Sequence, residues 1–523
     1  MVIKFLSQGS RSSNPGLKLA NAFGVKMESH SSKTKSSGLS PAQFALLEQR
    51  LRGRTLASRS IPRRTEAGSA PLSFIQEETL RQTQIGDVPP SYIGTVLHYS
   101  GFLDLYSLQE SVTEVSRRHE SLRTSFAISE GATVQVINPP AQGKVTIIDL
   151  SDLPAHQRVA RVQQLAVQAL AQPFDLARSP LWRLTVFRLD REEYVLAIAL
   201  DHLIADFISL GILIRELGTL YEAFSHNQPS PLPELQIQYG DWAVWQRTRV
   251  RTGELEAQFS YWRERLKQCP PALELPFTYP RPAAQTFHGA VRSRLLPSAL
   301  SESLRELSRT HQVSLYTTML AAFGLLLRHY TLRDDFVLGR GVAGRTRLEI
   351  ENLIGCFINM VLMRLDLSGN PPFTELMKRI QVTVDGAYSN QDVPFVKLAE
   401  HLQPANEPRR TPLARIFFNL YTAPAAQEIE GASLSIFDLG DQRPDNDVAL
   451  FQDMILGMQD SGNRLTAELK YNRELFEVSA MEELLDHYQI FLETIVATPA
   501  QPIQEITRQT GIGSLNQQAD GWR

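Results

Sequence analysis

The residues of this sequence that are best placed to do chemistry lie in "ALDHLIADFISLG", positions 199–211. An apolar run ends in Asp201 and His202, and a second acid, Asp206, follows four residues after the histidine. An imidazole can act as a base near neutral pH because its unperturbed pKa is about 6.5. It acts best when a neighbour fixes its orientation, and Asp206 is placed to fix the loop or to pair with an arginine. A histidine at a strand end is also commonly structural, so the spacing alone leaves both interpretations open.

The surrounding pattern predicts the elements that position His202. The run "EYVLAIAL" has the content of a strand, and "FISLGILIRELGTLYEAF" has helical spacing. We therefore expect His202 in a loop at the strand end, where a rigid scaffold supports exposed site residues. Strands and long helices are mixed in both halves of the chain, which predicts an α/β sandwich in each half.

The length of 523 residues is too great for one ordinary compact domain. Within the first 70 residues, Phe44, Leu47 and Leu51 repeat at helical spacing in the stretch Leu39–Arg54, which predicts a short helix and a candidate docking element. The predicted segments are a flexible basic arm (1–70), a first lobe (71–250), a connector (251–284), a second lobe (285–505) and a tail (506–523).

Charge and composition exclude several classes of function. The net charge of −3 combines a basic arm of +9 with a body of −12. The Ser-rich part of the arm is typical of a solvated linker, and an acidic protein partner is the alternative; we do not expect a nucleic-acid partner. Two cysteines and eleven scattered histidines predict neither a disulfide framework nor a metal site. The sequence has no secretory signal and no long apolar run, which favours a cytoplasmic protein without a membrane partner.

Several blocks resemble the condensation domains of nonribosomal peptide synthetases, members of the chloramphenicol-acetyltransferase-like acyltransferases. The family signature HHxxxDGxS corresponds to "DHLIADFIS" (Asp201–Ser209), and "RHESLRTSF" (Arg118–Phe126) matches RHExLRTxF. The resemblance covers about residues 71 to 500. Further blocks follow in the family's order, namely "YGDWAVWQ", "VAGRTRLEIENLIGCFINMVLMR", "NQDVPFVKL" and "ARIFFNLY".

This resemblance implies an α/β fold of two chloramphenicol-acetyltransferase-like sandwich lobes that form a V with a tunnel at their junction. It implies acyl transfer from a carrier-bound thioester to an amine or a hydroxyl, giving an amide or an ester. The substrates would be tethered to phosphopantetheine on acyl or peptidyl carrier proteins or on neighbouring synthetase modules. The chain itself would bind no cofactor and act as a monomer.

The resemblance also assigns roles to individual residues. His202 would carry the proton chemistry, and Asp206 would be structural, with Arg123 as its candidate partner. Asp201 stands where the family has its first histidine. The tunnel residues would be Phe207, Ser209 and Asn359.

Two departures keep other functions open. Asp201 replaces a histidine, and Phe207 replaces a glycine that leaves room for close approach of the tethered substrate. One alternative is a catalytically degenerate platform that binds carrier proteins or tailoring enzymes. Another is a domain that modifies a tethered intermediate.

Overall fold

A computed structural model describes residues 60–83, 92–276, 279–282, 286–402, 413–422, 427–429, 432–439 and 448–513. The helix predicted within Leu39–Arg54 lies outside these ranges, and so does most of the predicted tail.

The strands of the first half belong to two sheets, and β7 lies in the middle of the larger one. They are β1 (Ser69–Pro71), β2 (Tyr92–Ser100), β3 (Thr124–Ser129), β4 (Ala132–Ile137), β5 (Val145–Asp149), β6 (Trp182–Arg188) and β7 (Glu193–Asp201). β7 lies antiparallel between β2 and β6, and β5 adds in parallel to β6. Alternate residues of β7 contact two different core clusters, so its run of apolar residues is buried on both faces. β1, β4 and β3 form a separate small sheet.

The described part of the first half also contains four helices, and the last of them begins at the His202 loop. They are α1 (Phe74–Thr83), α2 (Leu105–Arg118), α3 (Ala155–Ala171) and α4 (Phe207–Ser225). Asp206 is the N-cap of α4, accepting a hydrogen bond from the Ser209 N–H. The helix therefore begins at the residue after the motif aspartate.

The second half is built on a seven-stranded sheet. Its members are β8 (His288–Leu295), β9 (Asp335–Val342), β10 (Asn359–Asp366), β11 (Ile416–Thr422), β14 (Val448–Ala449), β15 (Met454–Asp460) and β16 (Leu465–Asn472), in the order β10-β9-β11-β15-β16-β8-β14. The helices are α7 (Ser298–Thr310), α8 (Leu315–Thr331), α9 (Phe373–Ser389), α10 (Phe395–Leu402), α11 (Val478–Ala497) and α12 (Ile503–Gln509). Most residues of α8 are buried, as expected for a core helix.

The two halves are joined in more than one way. Helices α5 (Tyr239–Arg251) and α6 (Glu256–Arg265) form the connector. Two strands from the second half, β12 (Gln427–Ile429) and β13 (Ala432–Ile436), extend the first sheet, because β13 pairs with β2. The chain thus crosses from β11 into the first sheet and returns to the second sheet at β14.

Three predicted boundaries differ from the structure. Residues 60–70 were predicted as part of a flexible arm, but Ile61 is buried and β1 pairs with β4. The connector helix α5 begins at Tyr239, before the predicted boundary at 250. Helix α12 crosses the predicted start of the tail at 506 and buries Ile506. At the two ends of the body, packing extends the fold beyond the point where the composition changes.

No helix among the described residues combines the length and the apolar character that a membrane span requires.

Candidate active site at the His202 loop

The His202 loop connects β7 to α4, as the sequence predicts. The Nδ1 atom of His202 lies 3.0 Å from the carbonyl oxygen of Ala205. Since a carbonyl only accepts, this contact assigns the proton of the neutral ring to Nδ1 and leaves the Nε2 lone pair free to accept a proton. Among the described residues, none hydrogen-bonds to Nε2, and the side chain is half-buried. The buried Gln76 amide of α1 donates to the Leu203 carbonyl at 2.8 Å and fixes the loop from behind.

Asp206 is a fully buried structural carboxylate. Its Oδ1 accepts from the Ser209 N–H at 2.8 Å, and its Oδ2 accepts from the Phe357 N–H at 3.1 Å. A guanidinium, that of Arg345, donates to both oxygens at 2.9 and 3.2 Å. Because both of its oxygens accept hydrogen bonds from the protein, Asp206 fixes the geometry of the His202 loop.

The partner of Asp206 is Arg345, and the prediction of Arg123 is wrong. Arg123 donates to the Asn138 carbonyl and lies 3.8 Å from Glu120.

Arg345 comes from the second half, just after β9, and also donates to the Ile350 and Leu353 carbonyls at 2.7 and 2.8 Å. Its guanidinium lies 4.3 Å from the centre of the Phe357 ring. One arginine therefore joins the two halves of the chain at the His202 loop.

A glycine makes the approach of this second-half segment possible. Gly344 has φ +64°, and a Cβ placed there would lie 1.9 Å from the Phe357 carbonyl oxygen. No other residue type fits such a position without displacing backbone. Gly344 therefore allows Arg345 and Phe357 to reach Asp206 together.

Ser209 belongs to the same buried network and does not line a tunnel as predicted. Its hydroxyl lies 2.7 Å from Asp206 Oδ1 and 2.8 Å from the Gly355 carbonyl. It also accepts from the Gly355 N–H at 3.0 Å and from Arg345 at 2.9 Å. Because its exposure is 0%, Ser209 cannot contact a substrate in this conformation.

The "RHESLRTSF" block supports the site from the other side. His119 Nδ1 accepts from the Ile354 N–H at 3.3 Å, so Nε2 carries the proton that it donates to Glu216 at 2.8 Å. Arg118 also donates to Glu216, at 3.0 Å. Burial acts to raise the pKa of Glu216, but the hydrogen bond from His119 and the charge and hydrogen bond of Arg118 outweigh it and keep that pKa below its ordinary value.

Asp201 and Cys356 are neighbours of His202, the first in sequence and the second in space. The Asp201 carboxylate accepts from the Leu203 N–H at 2.9 Å, and burial raises its pKa. The Cys356 sulfur lies 3.6 Å from His202 Nδ1, and burial raises the pKa of its thiol well above the ordinary value. Sequence reasoning missed this cysteine as a neighbour of the histidine. The block "LIGCFINM" contained it, but the contact spans 154 positions.

The other two predicted tunnel residues differ in their surroundings. Phe207 is the first residue of α4, and its half-buried ring packs against the core of the first lobe. Asn359 uses its amide on backbone: the Nδ2 atom donates to the Gln391 and Val393 carbonyls at 2.8 and 2.7 Å. Its Oδ1 accepts from the Phe395 N–H at 3.0 Å. Asn359 thus fixes the start of α10, which agrees with a structural role rather than substrate contact.

Comparison with known proteins agrees with this arrangement. The family model for the condensation domain matches residues 66–510. The chain belongs to the condensation-domain family. Condensation domains are acyltransferases of nonribosomal peptide assembly lines. One of the proteins that make up linear gramicidin synthase in Brevibacillus parabrevis is 40% identical over 83% of the chain, and a second protein of the same synthase is 36% identical over 94%. These matches cover 8% and 6% of the two synthase proteins.

Solved structures confirm the predicted fold class. The X-domain from teicoplanin biosynthesis superposes with a TM-score of 0.75 at 24% identity, covering 85% of this chain and 99% of that one. A complex of that X-domain with OxyB gives 0.74 at 23% identity, covering 86% and 98%. At such identities the likeness establishes the two-lobed condensation-domain fold and no more.

Proposed function

We propose that this condensation domain joins a carrier-bound acyl group to an amine or a hydroxyl, with His202 as the proton-transferring residue. The observation that carries the proposal is the Nδ1 contact to the Ala205 carbonyl, which directs the Nε2 lone pair away from the loop. The chain acts on phosphopantetheine-tethered substrates delivered by carrier proteins or neighbouring modules, and it works as a cytoplasmic monomer. The basic segment before residue 60 serves as a docking element for such a partner.

The proposed reaction needs no reacting group other than the two tethered substrates and His202. The nucleophile attacks the thioester carbonyl and forms a C–N or C–O bond, while His202 Nε2 takes the proton of the nucleophile. The C–S bond then breaks, and the proton passes to the departing phosphopantetheine sulfur as a thiol. Positioning both tethered reactants at one histidine supplies the orientation that the bimolecular reaction lacks.

Asp206 and Asp201 act through the loop rather than on substrate. Asp206 is fully buried, and its oxygens are engaged by Ser209, Arg345 and Phe357. Asp201 accepts the Leu203 N–H within the turn. Both are positioning residues for His202.

A binding platform is the second candidate, and Phe207 favours it. The ring stands where the family has glycine, at the first residue of α4 and next to the His202 loop, and it is only half-buried. The Phe207 ring, although packed against the first-lobe core, takes up part of the room that glycine leaves there. In that case the chain would bind a carrier or a tailoring enzyme without turnover; the X-domain complexed with OxyB is a structure of this fold with a partner.

A reconstituted assay separates the two candidates. One carrier protein carries a panel of N-acetylaminoacyl groups as donors, a second carries aminoacyl acceptors, and intact-protein mass spectrometry follows transfer. His202→Ala should lower the rate by roughly 10²–10⁴-fold, the range of general acid–base catalysis. The matched control is His226→Ala, which removes an exposed histidine at the end of the same helix and should leave the rate unchanged.

The outcome for Phe207→Gly completes the test. If the wild type transfers and His202→Ala does not, acyl transfer stands. If the wild type binds both carriers without transfer and Phe207→Gly restores it, the platform function is correct and acyl transfer by the native chain is refuted.

A further inference from the structure

The segment Ile61–Arg64 lies before the start of the family match at residue 66, yet it packs against the elements that support the His202 loop. Ile61 is 3% exposed. It belongs to a buried group that we term the junction cluster, which comprises Ile61, Ile237, Tyr239, Trp242, Ala243, Ile350, Leu353 and Phe357. The cluster therefore contains residues from the incoming segment, the connector and the loop that follows β9.

The junction cluster is one packing layer from the catalytic loop. The Phe357 N–H donates to Asp206, and its ring contacts the guanidinium of Arg345. The Phe357 ring also packs edge-on against Tyr239 at 5.0 Å and Trp242 at 4.8 Å between ring centres. The Tyr239 hydroxyl donates to the Cys356 carbonyl at 2.6 Å, and the Cys356 sulfur contacts His202. A continuous set of contacts thus links Ile61, through Phe357 and Cys356, to Asp206 and His202.

Arg64 supplies the polar part of the same attachment. Its side chain is 8% exposed and pairs with Glu120 at 2.6 Å and Asp241 at 2.9 Å. Asp241 is the third residue of α5 and accepts from the Gln238 N–H at 2.8 Å. Gln238 in turn bonds to Glu120 and Arg118 of the "RHESLRTSF" block, at 3.0 Å each. Arg64 therefore closes a ring of bonds between that block and the connector.

The sequence is fitted to this close approach. A Cβ at Gly240 would lie 3.0 Å from both the Ala70 Cβ and the Arg64 guanidinium, which is tighter than ordinary contact. Glycine at this position lets residues 64 and 70 lie directly against α5. Arg63 adds two bonds to the Gln236 and Leu235 carbonyls, at 2.6 and 3.0 Å.

We propose that Ile61 and Arg64 are positioning residues for His202, Ile61 through the junction cluster and Arg64 through its ion pairs with Glu120 and Asp241. The segment that enters the domain thereby sets the geometry of the His202 loop. The proposal rests on the proposed acyl transfer for its kinetic consequence. Its structural consequence, stabilisation of the His202 loop by Ile61, is independent of that reaction.

The test compares Ile61→Ala, Arg64→Ala and Arg64→Lys in the full chain, with Arg81→Ala as the matched control. Arg81 is exposed and pairs with Glu78 within its own helix. We expect Ile61→Ala and Arg64→Ala to lower kcat roughly tenfold while KM for either loaded carrier changes less than twofold, because misplaced reacting groups slow the bound complex. Arg64→Lys should restore part of kcat, since it retains one charge contact, and Arg81→Ala should match the wild type.

Hydrogen–deuterium exchange gives the readout that does not need activity. Peptides covering 201–209 and 353–359 should exchange faster in Ile61→Ala, while peptides from α8 stay protected. Unchanged exchange in both site peptides overturns the proposal, and so does a change in KM for the carriers without a change in kcat. A wild type that binds carriers without transfer refutes the proposed function alone, and the exchange measurement then still decides whether Ile61 positions the loop. Should Ile61→Ala fail to fold, Ile61→Val, which removes one methyl group, repeats both measurements.

Discussion

Replacement of Arg345 by methionine isolates the contribution of the second half of the chain to the His202 loop. The side chains of Arg345 and Asp206 are 5% and 1% exposed, and their closest atoms are 2.9 Å apart. Methionine retains most of the volume of the side chain and its contact with Phe357 but removes the positive charge. Asp206 then remains a buried carboxylate that has lost its guanidinium partner.

The expected cost follows from the contacts that remain. Removal of one member of a buried ion pair destabilises by about 3–5 kcal/mol, because the other charge is left without compensation. The Ser209 and Phe357 N–H groups still donate to Asp206, which places the expected loss at the lower end of this range. The Ile350 and Leu353 carbonyls also lose their donors, each a loss of about 1 kcal/mol. We therefore expect a loss of about 5 kcal/mol, a large part of the roughly 5–15 kcal/mol that is typical of a folded protein.

Urea unfolding followed by tryptophan fluorescence measures this loss, since Trp242 lies in the junction cluster. The control is Arg309→Met, whose pair with Glu306 in α7 is 77% and 58% exposed and should contribute at most about 1 kcal/mol. Asp206→Asn combined with Arg345→Met should cost less than the sum of the single changes, because the unpaired charge is gone. A loss below about 1 kcal/mol for Arg345→Met, or strict additivity with Asp206→Asn, would show that this pair does not anchor the loop.

Three further predictions concern the supports of the site. The folded-state pKa of Glu216 lies below its ordinary value of 4.5, so the stabilisation it gives is present above about pH 4.5 and is lost as the pH falls through the folded pKa. Glu216→Gln should therefore have a lower Tm than the wild type near pH 7, and its Tm should fall less steeply on acidification. Gly344→Ala should lower the free energy of unfolding by more than about 2 kcal/mol and abolish turnover, because its Cβ would lie 1.9 Å from the Phe357 carbonyl oxygen. A free energy of unfolding equal to that of the wild type in urea would contradict this prediction. Asn359→Ala loses three hydrogen bonds and should lower the free energy of unfolding, measured in urea, by about 2–3 kcal/mol. It should change kcat more than KM for the carriers, whereas a selective rise in KM would support substrate contact.

Local patterns were sufficient to predict the elements around the site. The apolar run of β7 and the helical spacing after Asp206 predicted a strand, a loop and a helix, and the structure has β7 ending at Asp201 and α4 beginning at Phe207. These elements depend only on residues close to one another in sequence, so hydrophobic periodicity is sufficient to predict them. The strands β12 and β13 could not be found in this way, because their pairing with the first sheet joins positions more than 300 residues apart.

The structural role of Asp206 could be predicted, but its partner could not. Arg123 and Arg345 both lie in recognisable blocks and both carry the required charge. Only the approach of the segment after β9, which Gly344 permits, decides between them. Ser209 illustrates the same limit: its place in the motif suggested a wall of the tunnel, whereas the bonds to Gly355 bury it.

The two acids on either side of His202 explain why an aspartate is compatible with the position of the family's first histidine. Asp201 accepts the N–H of Leu203 two residues on, which is the bond an aspartate makes in a tight turn. Asp206 caps α4 three residues before Ser209. The loop is therefore fixed at both ends by carboxylates whose described bonds are structural. His202 lies between them with Nδ1 bonded to the loop itself, and within the described residues its Nε2 is not held by any hydrogen bond. Because the bonds that fix this loop leave Nε2 unoccupied among the described residues, the proposed proton transfer is assigned to Nε2 rather than Nδ1.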